Sequence, residues 1–222
     1  MKPSKPRRLA IPLLDYIRIF RVLNAVISSV GNSGDNSSCL FFCVAGAAIL
    51  KQFYGKDARV LVGAAFYLLD NTTSSVLTVT KSGRGELGNG NADSDRDVFH
   101  AWLECEGQIL DFQAPLFPEA LVRSGNSVRV PRKMFQKPRD AMSAGPASLE
   151  KVGDFYLAPN LALTNLLVPG IMEHQSSLDL MRICLTWFVK PPKVIQRQFS
   201  MIEGTGTAVK LELSNIDLAG AW

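Results

Sequence analysis

Leu13, Tyr16, Ile17, Phe20, Leu23 and Ile27 recur at intervals of three and four, which predicts an amphipathic helix over residues 12–27. Residues 31–38 are turn formers throughout and predict a loop. Residues 39–54 then form a second helical segment, apolar on nearly every side and therefore expected to be buried on most faces. Asn36, Ser37 and Ser38 are its cap candidates, and Gly55 is a favoured helix stop. Stretches 58–69 and 76–80, rich in Val, Leu, Ala and aromatics, predict strands. Residues 81–97 are rich in Gly, Asn and Asp and predict a long loop. Two further strands, 98–105 and 108–112, flank the hairpin signal Glu106-Gly107. Beyond Pro115 the chain is polar and punctuated by proline to about Pro146. A strand at 152–157, a helix at 178–189 stopped by Pro191-Pro192, and a strand at 208–213 follow. The order helix, helix, then strands predicts an α+β fold, with an antiparallel sheet packed against helices.

Composition adds limits rather than detail. The chain has 222 residues, 47% hydrophobic and 20% charged, as in an ordinary globular protein. We expect one domain over residues 9–222, with a core at about 32–118 and a C-terminal elaboration at 119–222. Lys2, Lys5, Arg7 and Arg8 make residues 1–8 a basic, frayed tail and contribute much of the +4 net charge. No interleaved aromatic and basic motif accompanies them, so no nucleic-acid partner is expected. Asp15, Arg18 and Arg21 interrupt the apolar stretch 9–30, which predicts neither a membrane span nor a secretory signal. The expected setting is cytoplasmic, with Cys39, Cys43, Cys105 and Cys184 as free thiols.

Candidate chemistry begins at Cys39, in the first turn of the buried helix. The positive end of the helix macrodipole and its unpaired N–H groups favour a thiolate there. Cys43 lies one turn deeper among apolar residues, where burial makes a thiol inert, so Cys39 is the expected nucleophile. A two-residue turn at Glu106-Gly107 pairs Cys105 with Gln108, Glu104 with Ile109, Leu103 with Leu110 and Trp102 with Asp111. His100, Trp102 and Asp111 then project from one face, with Asp111 diagonal to His100. A carboxylate beside an imidazole fixes its tautomer and leaves the other ring nitrogen for a thiol.

These residues carry a resemblance. A cysteine opening a helix, then Gly55-Lys-Asp-Ala-Arg-Val-Leu-Val-Gly, His100-Ala-Trp-Leu-Glu and Ile109-Leu-Asp-Phe, is similar to the transglutaminase-like core of the papain-like superfamily. The resemblance covers about residues 32–118. It implies a nucleophile-bearing helix packed on an antiparallel sheet, with Cys39 as nucleophile, His100 as base and Asp111 as orienting acid. The chain departs from the family in having Ser37-Ser38-Cys39 where a Gly-x-Cys run is familiar, and it lacks the Arg-Gly-Gly-x-Cys motif of arylamine acetyltransferases. More closely, Cys39-Leu-Phe-Phe-x-Val-Ala-Gly-Ala-Ala-Ile-Leu with His100-Ala-Trp-Leu-Glu resembles a bacterial family of about this length described only as a domain of unknown function.

Such a site needs an oxyanion donor: the Cys39 backbone N–H, or a side-chain amide from Asn36 or Asn32. Both asparagines equally suit turns or caps. Trp102 either shields the imidazole or is a core aromatic. Zinc is not expected, because Cys39-x-x-x-Cys43 has no matching second pair and Cys105 points away from His100. The Gly-rich run after Gly83 opens no helix, so no nucleotide cofactor is expected there. The implied activity is hydrolysis or acyl transfer on a peptide or small amide, and the alternative is a binding module that keeps the fold without catalysis.

Overall fold

The computed structural model describes residues 9–31, 38–71, 75–81, 92–202 and 208–222. The basic tail 1–8, the candidates Asn32, Asn36 and Ser37, and the Gly-rich run 83–91 lie outside these residues. Among the described residues, five α-helices and eight strands alternate in blocks: α1 (Leu13–Ser29), α2 (Ser38–Tyr54), β1 (Arg59–Asp70), β2 (Ser75–Val79), β3 (His100–Cys105), β4 (Gln108–Asp111), α3 (Phe117–Arg123), β5 (Phe135–Pro138), β6 (Phe155–Pro159), α4 (Leu161–Glu173), α5 (Gln175–Trp187), β7 (Gln198–Ile202) and β8 (Ala208–Glu212). The fold is α+β: a six-stranded antiparallel sheet, helices against it, and a separate β7–β8 ribbon. No helix among the described residues is long and apolar enough to cross a membrane.

The long strand β1 is the template of the sheet. It pairs with β3 over Arg59–Gly63, with β2 from Ala65 onward, and with β6 over Gly63–Tyr67. Val79 of β2 lies opposite Ala65, and His100 of β3 lies opposite Gly63. Two segments separated by a long loop in sequence therefore arrive two residues apart on one strand. The hairpin register matches the sequence expectation at Leu103–Leu110, Glu104–Ile109 and Cys105–Gln108. Glu106 and Gly107 both take positive φ, 51° and 73°, as a two-residue turn matched to strand twist requires.

Period-2 alternation divides the apolar side chains between two cores. Val62, Ala101, Leu103, Cys105 and Leu110 join α1, α2 and α5 in one. Leu61, Ala65, Tyr67, Trp102 and Ile109 join Phe117, Leu121, Phe135 and Phe155 in the other. Helix α1 buries more than the expected stripe: Ile19, Val22, Ala25 and Val26 are covered too, because α2, α5 and β8 all pack against it.

Several elements differ from expectation. Helix α4, which contains Pro169 and Gly170, lies in a stretch where the sequence predicted no element; the Asn160 side chain caps it, accepting from the Leu163 N–H at 3.0 Å. Strand β5, helix α3 and strand β7 are short elements in stretches that carry no periodic signal. The strand expected at 152–157 begins at Phe155, since Val152 and Gly153 form a turn closed by the Asp154 N–H on the Lys151 carbonyl.

A buried amide anchors the start of the fold. Gln136 on β5 accepts the Ile11 N–H and donates to the Ile11 carbonyl, both at 3.1 Å, and is 3% exposed. Gln136→Leu leaves both Ile11 groups unpaired in the interior. Urea denaturation should show a loss of about 2–3 kcal/mol. A change below about 0.5 kcal/mol would mean that water replaces the amide.

Candidate active site

His100 opens β3 and Asp111 closes β4, so the hairpin register brings them together across two strands. His100 Nε2 lies 2.7 Å from Asp111 Oδ2. The pair is nearly closed to solvent, with side-chain exposures of 6% and 0%. A buried carboxylate needs all its lone pairs satisfied. The Tyr67 hydroxyl donates to Oδ2 at 3.0 Å and the Gln113 backbone N–H donates to Oδ1 at 2.9 Å. Tyr16 on α1 donates to the Asp111 backbone carbonyl. Burial pushes the Tyr67 and Tyr16 hydroxyls well above the ordinary tyrosine range, and the negative charge of Asp111 pushes the same way. Both therefore stay protonated and remain donors.

Cys39 is the second residue of α2, buried at 3% exposure. Its thiol interacts with the His100 side chain, and the two line one cavity. With Nε2 engaged by Asp111, Nδ1 is the ring nitrogen left for the sulfur. Burial by itself lowers the imidazole pKa. The charge of Asp111, the hydrogen bond to it, and the hydrogen bond and charge of Cys39 overcome that and push His100 up to about 10. Cys39 and His100 both stand at element ends, which lets a helix on one side of the sheet reach a strand residue of the other face.

The remaining candidates fall into place around this contact. Cys43 lies one turn along α2. Burial, Asp111 and Cys39 all push its thiol well above the usual cysteine range, so it stays neutral. Cys105 and Cys184 are also raised, chiefly by burial, and all four cysteines are thiols rather than disulfides. Trp102 is 1% exposed within the second core and is not on the wall of the site. The rings beside His100 are instead Tyr67, edge-on at 5.8 Å between centroids, and Phe117 at 6.4 Å. No cluster of three or more candidate metal ligands occurs among the described residues.

A cavity of about 90 Å³ reaches the pair, lined by Cys39 and His100 at one end and by Leu77, Val79, Phe99 and Phe117 along its wall. The joint occupancy of β1 by β2 and β3 is what puts Val79 and His100 in one cavity. The approach to β3 is held by Asp95, whose Oδ1 accepts the N–H groups of Asp97 and Val98, both at 3.0 Å. The Lys81–Asp95 ion pair at 3.0 Å and the Thr80 hydroxyl donating to the Asp93 carbonyl clamp the loop ends together.

Two residues of the site carried no sequence signal. Tyr67 reads as an ordinary strand aromatic. Gln113 reads as a loop residue, yet its side-chain amide donates to the Ser38 hydroxyl at 2.6 Å, across 75 positions of sequence. The spacing Asp111-x-Gln113 could have suggested an Asx-type turn, with the carboxylate accepting the N–H two residues on.

A family model described as "Protein of unknown function (DUF2026)" matches residues 12–222. A crystal structure described only by a genomics designation is similar at 30% identity with a TM-score of 0.83, covering 99% of this chain and 100% of that one. No curated protein matches this chain. The match over nearly its whole length shows that the chain belongs to the DUF2026 family.

Proposed function

We propose that this protein is a papain-like or transglutaminase-like enzyme, a thiol hydrolase or acyltransferase that cleaves an amide through a thioester on Cys39. The observation that carries the reading is the relay Asp111–His100–Cys39: a ring fixed at Nε2 by a fully buried carboxylate, with a helix-opening thiol that interacts with the ring and lines the same cavity. An imidazolium that persists well above neutrality is a fitting counter-ion for a sulfur anion. The sulfur attacks the carbonyl carbon while His100 holds the former thiol proton. His100 then donates that proton to the departing amine as the C–N bond breaks. Water, deprotonated by His100, attacks the thioester and releases the acid and the restored thiol; an amine in place of water gives acyl transfer. The Cys39 backbone N–H, in the first turn of α2, is the first oxyanion donor of this reading.

The cavity limits the acyl portion of the substrate. About 90 Å³, with walls that are largely apolar apart from Gln113 and Arg123, admits a small acyl group or the slender end of an extended side chain, such as that of glutamine, and no bulky ring system. A cavity that reaches the sulfur also favours catalysis over a binding role in which the triad is sealed.

The test is iodoacetamide labelling of the purified protein at pH 7, followed by mass spectrometry of the tryptic peptides. Cys39 should label faster than a free thiol, and His100→Ala should slow it by about 10²-fold or more. Equal rates in the two proteins would remove the ground for an activated nucleophile.

A further inference from the structure

Gln113 is tied at both ends to the relay. Its backbone N–H holds Asp111 Oδ1, and its side-chain amide holds Ser38, the residue before the nucleophile. It also lines the cavity together with Cys39 and His100. A primary amide carries two N–H donors, and Ser38 takes one of them. An oxyanion donor must be aimed before the reaction and held while charge develops, so that no reorganisation is needed in the transition state. Gln113 meets this condition, because both its backbone and its side chain are anchored. Arg123, the other strong donor on the cavity wall, does not: it is exposed at the end of α3, and no ion pair or hydrogen bond holds it among the described residues.

We propose that the second side-chain N–H of Gln113 is an oxyanion donor, acting beside the Cys39 backbone N–H on the carbonyl oxygen of the substrate. This rests on the thiol-enzyme reading above. It places the second donor downstream of the acid rather than in the loop before the nucleophile, where the sequence pointed to Asn32 or Asn36. It also gives the Ser38 contact a purpose: the hydroxyl orients the amide so that its free N–H looks into the cavity.

Two reagents that attack the same sulfur separate a donor from a strap. With p-nitrophenyl acetate, the Cys39 sulfur bonds to the carbonyl carbon, a tetrahedral oxyanion forms, and p-nitrophenolate leaves while the thiol proton passes to His100. Iodoacetamide reacts at a saturated carbon, where the S–C bond forms as iodide leaves and the thiol proton passes to His100, so no oxyanion forms. Gln113→Met keeps the length of the side chain without a donor. We expect Q113M to slow Cys39 acetylation by about 10²-fold while alkylation stays within about threefold of wild type. Gln113→Glu can still accept from the Ser38 hydroxyl and so keeps the tie, but it has no donor, and it should acetylate as slowly as Q113M. Parallel loss of both reactions in Q113M, normal acetylation in either variant, or recovery in Q113E alone would each overturn the donor role and leave Gln113 as a strap. If wild-type Cys39 accepts neither reagent, the thiol-enzyme reading itself fails, a result distinct from those three.

Discussion

Asp111→Ala is expected to lower the unfolding free energy by roughly 3–5 kcal/mol, measured by urea denaturation at pH 7. Asp111 is fully buried and serves three donors with its side chain: His100, Tyr67 and the Gln113 backbone. Truncation removes the charge that offsets burial of His100 and strands two further donors in the interior. Asp111→Asn separates this cost from the chemistry. The Gln113 N–H draws the amide oxygen toward itself, so the NH₂ group faces Nε2. The ring must then carry its proton on Nδ1, the nitrogen that should receive the thiol proton. D111N should therefore stay folded, while its Cys39 alkylation falls to the level of His100→Ala. Wild-type labelling in D111N would show that the carboxylate only supports the fold.

The same pair sets a pH dependence with a definite sign. His100 is raised from its ordinary 6.5 to about 10, so the folded state holds this proton more tightly than the unfolded chain. Below the unfolded pKa the group is protonated in both states and its contribution is fully present. Between about 6.5 and about 10 the unfolded chain has released the proton and the native state has not, so stability falls as pH rises. Above about 10 the contribution is gone. The slope from one group is at most about 1.4 kcal/mol per pH unit, and it should disappear from this window in His100→Gln.

What the sequence reveals and what it hides follows from the range of the interactions. The Glu106-Gly107 turn fixes the register of its hairpin by local geometry, so Leu103–Leu110 and the approach of His100 to Asp111 could be worked out by counting. The apolar character of α2 marks it as a central helix whatever packs on it. By contrast, Gln113 meets Ser38, and Tyr16 meets the Asp111 carbonyl, only because α2 and α1 dock on the sheet at particular distances. No periodicity encodes a docking distance. Trp102 shows the same limit from the other side: parity placed it on the face of His100, but that face is largely a core, and only its end opens to the cavity. Helix α4 tolerates Pro169 and Gly170 in its interior because it packs against β1 and α5.

Gly63→Ala is expected to destabilise the protein by about 3 kcal/mol or more, and to disturb the site along with the fold. Gly63 is the residue of β1 that lies opposite His100 on β3 and opposite Pro159 on β6. A Cβ at Gly63 would overlap the Ala158 carbonyl oxygen and lie 2.9 Å from the Ala158 carbonyl carbon and from Pro159 Cα. All three are backbone atoms, so no rotamer change relieves the overlap; β6 must move away from β1. Gly46 provides the contrast. There a Cβ would lie 2.5 Å from Phe112 Cδ2 and 2.8 Å from Cε2, atoms of a side chain that can tilt. Gly46→Ala should therefore cost less, about 1–3 kcal/mol. Urea denaturation of both variants gives the order. Because Gly63 also pairs with His100 on β3, a shift of β1 against β6 disturbs that pairing, and G63A should also lose Cys39 labelling by iodoacetamide under conditions where circular dichroism shows it still folded. A G63A protein within about 0.5 kcal/mol of wild type would show that β1 and β6 do not approach as closely as this register requires.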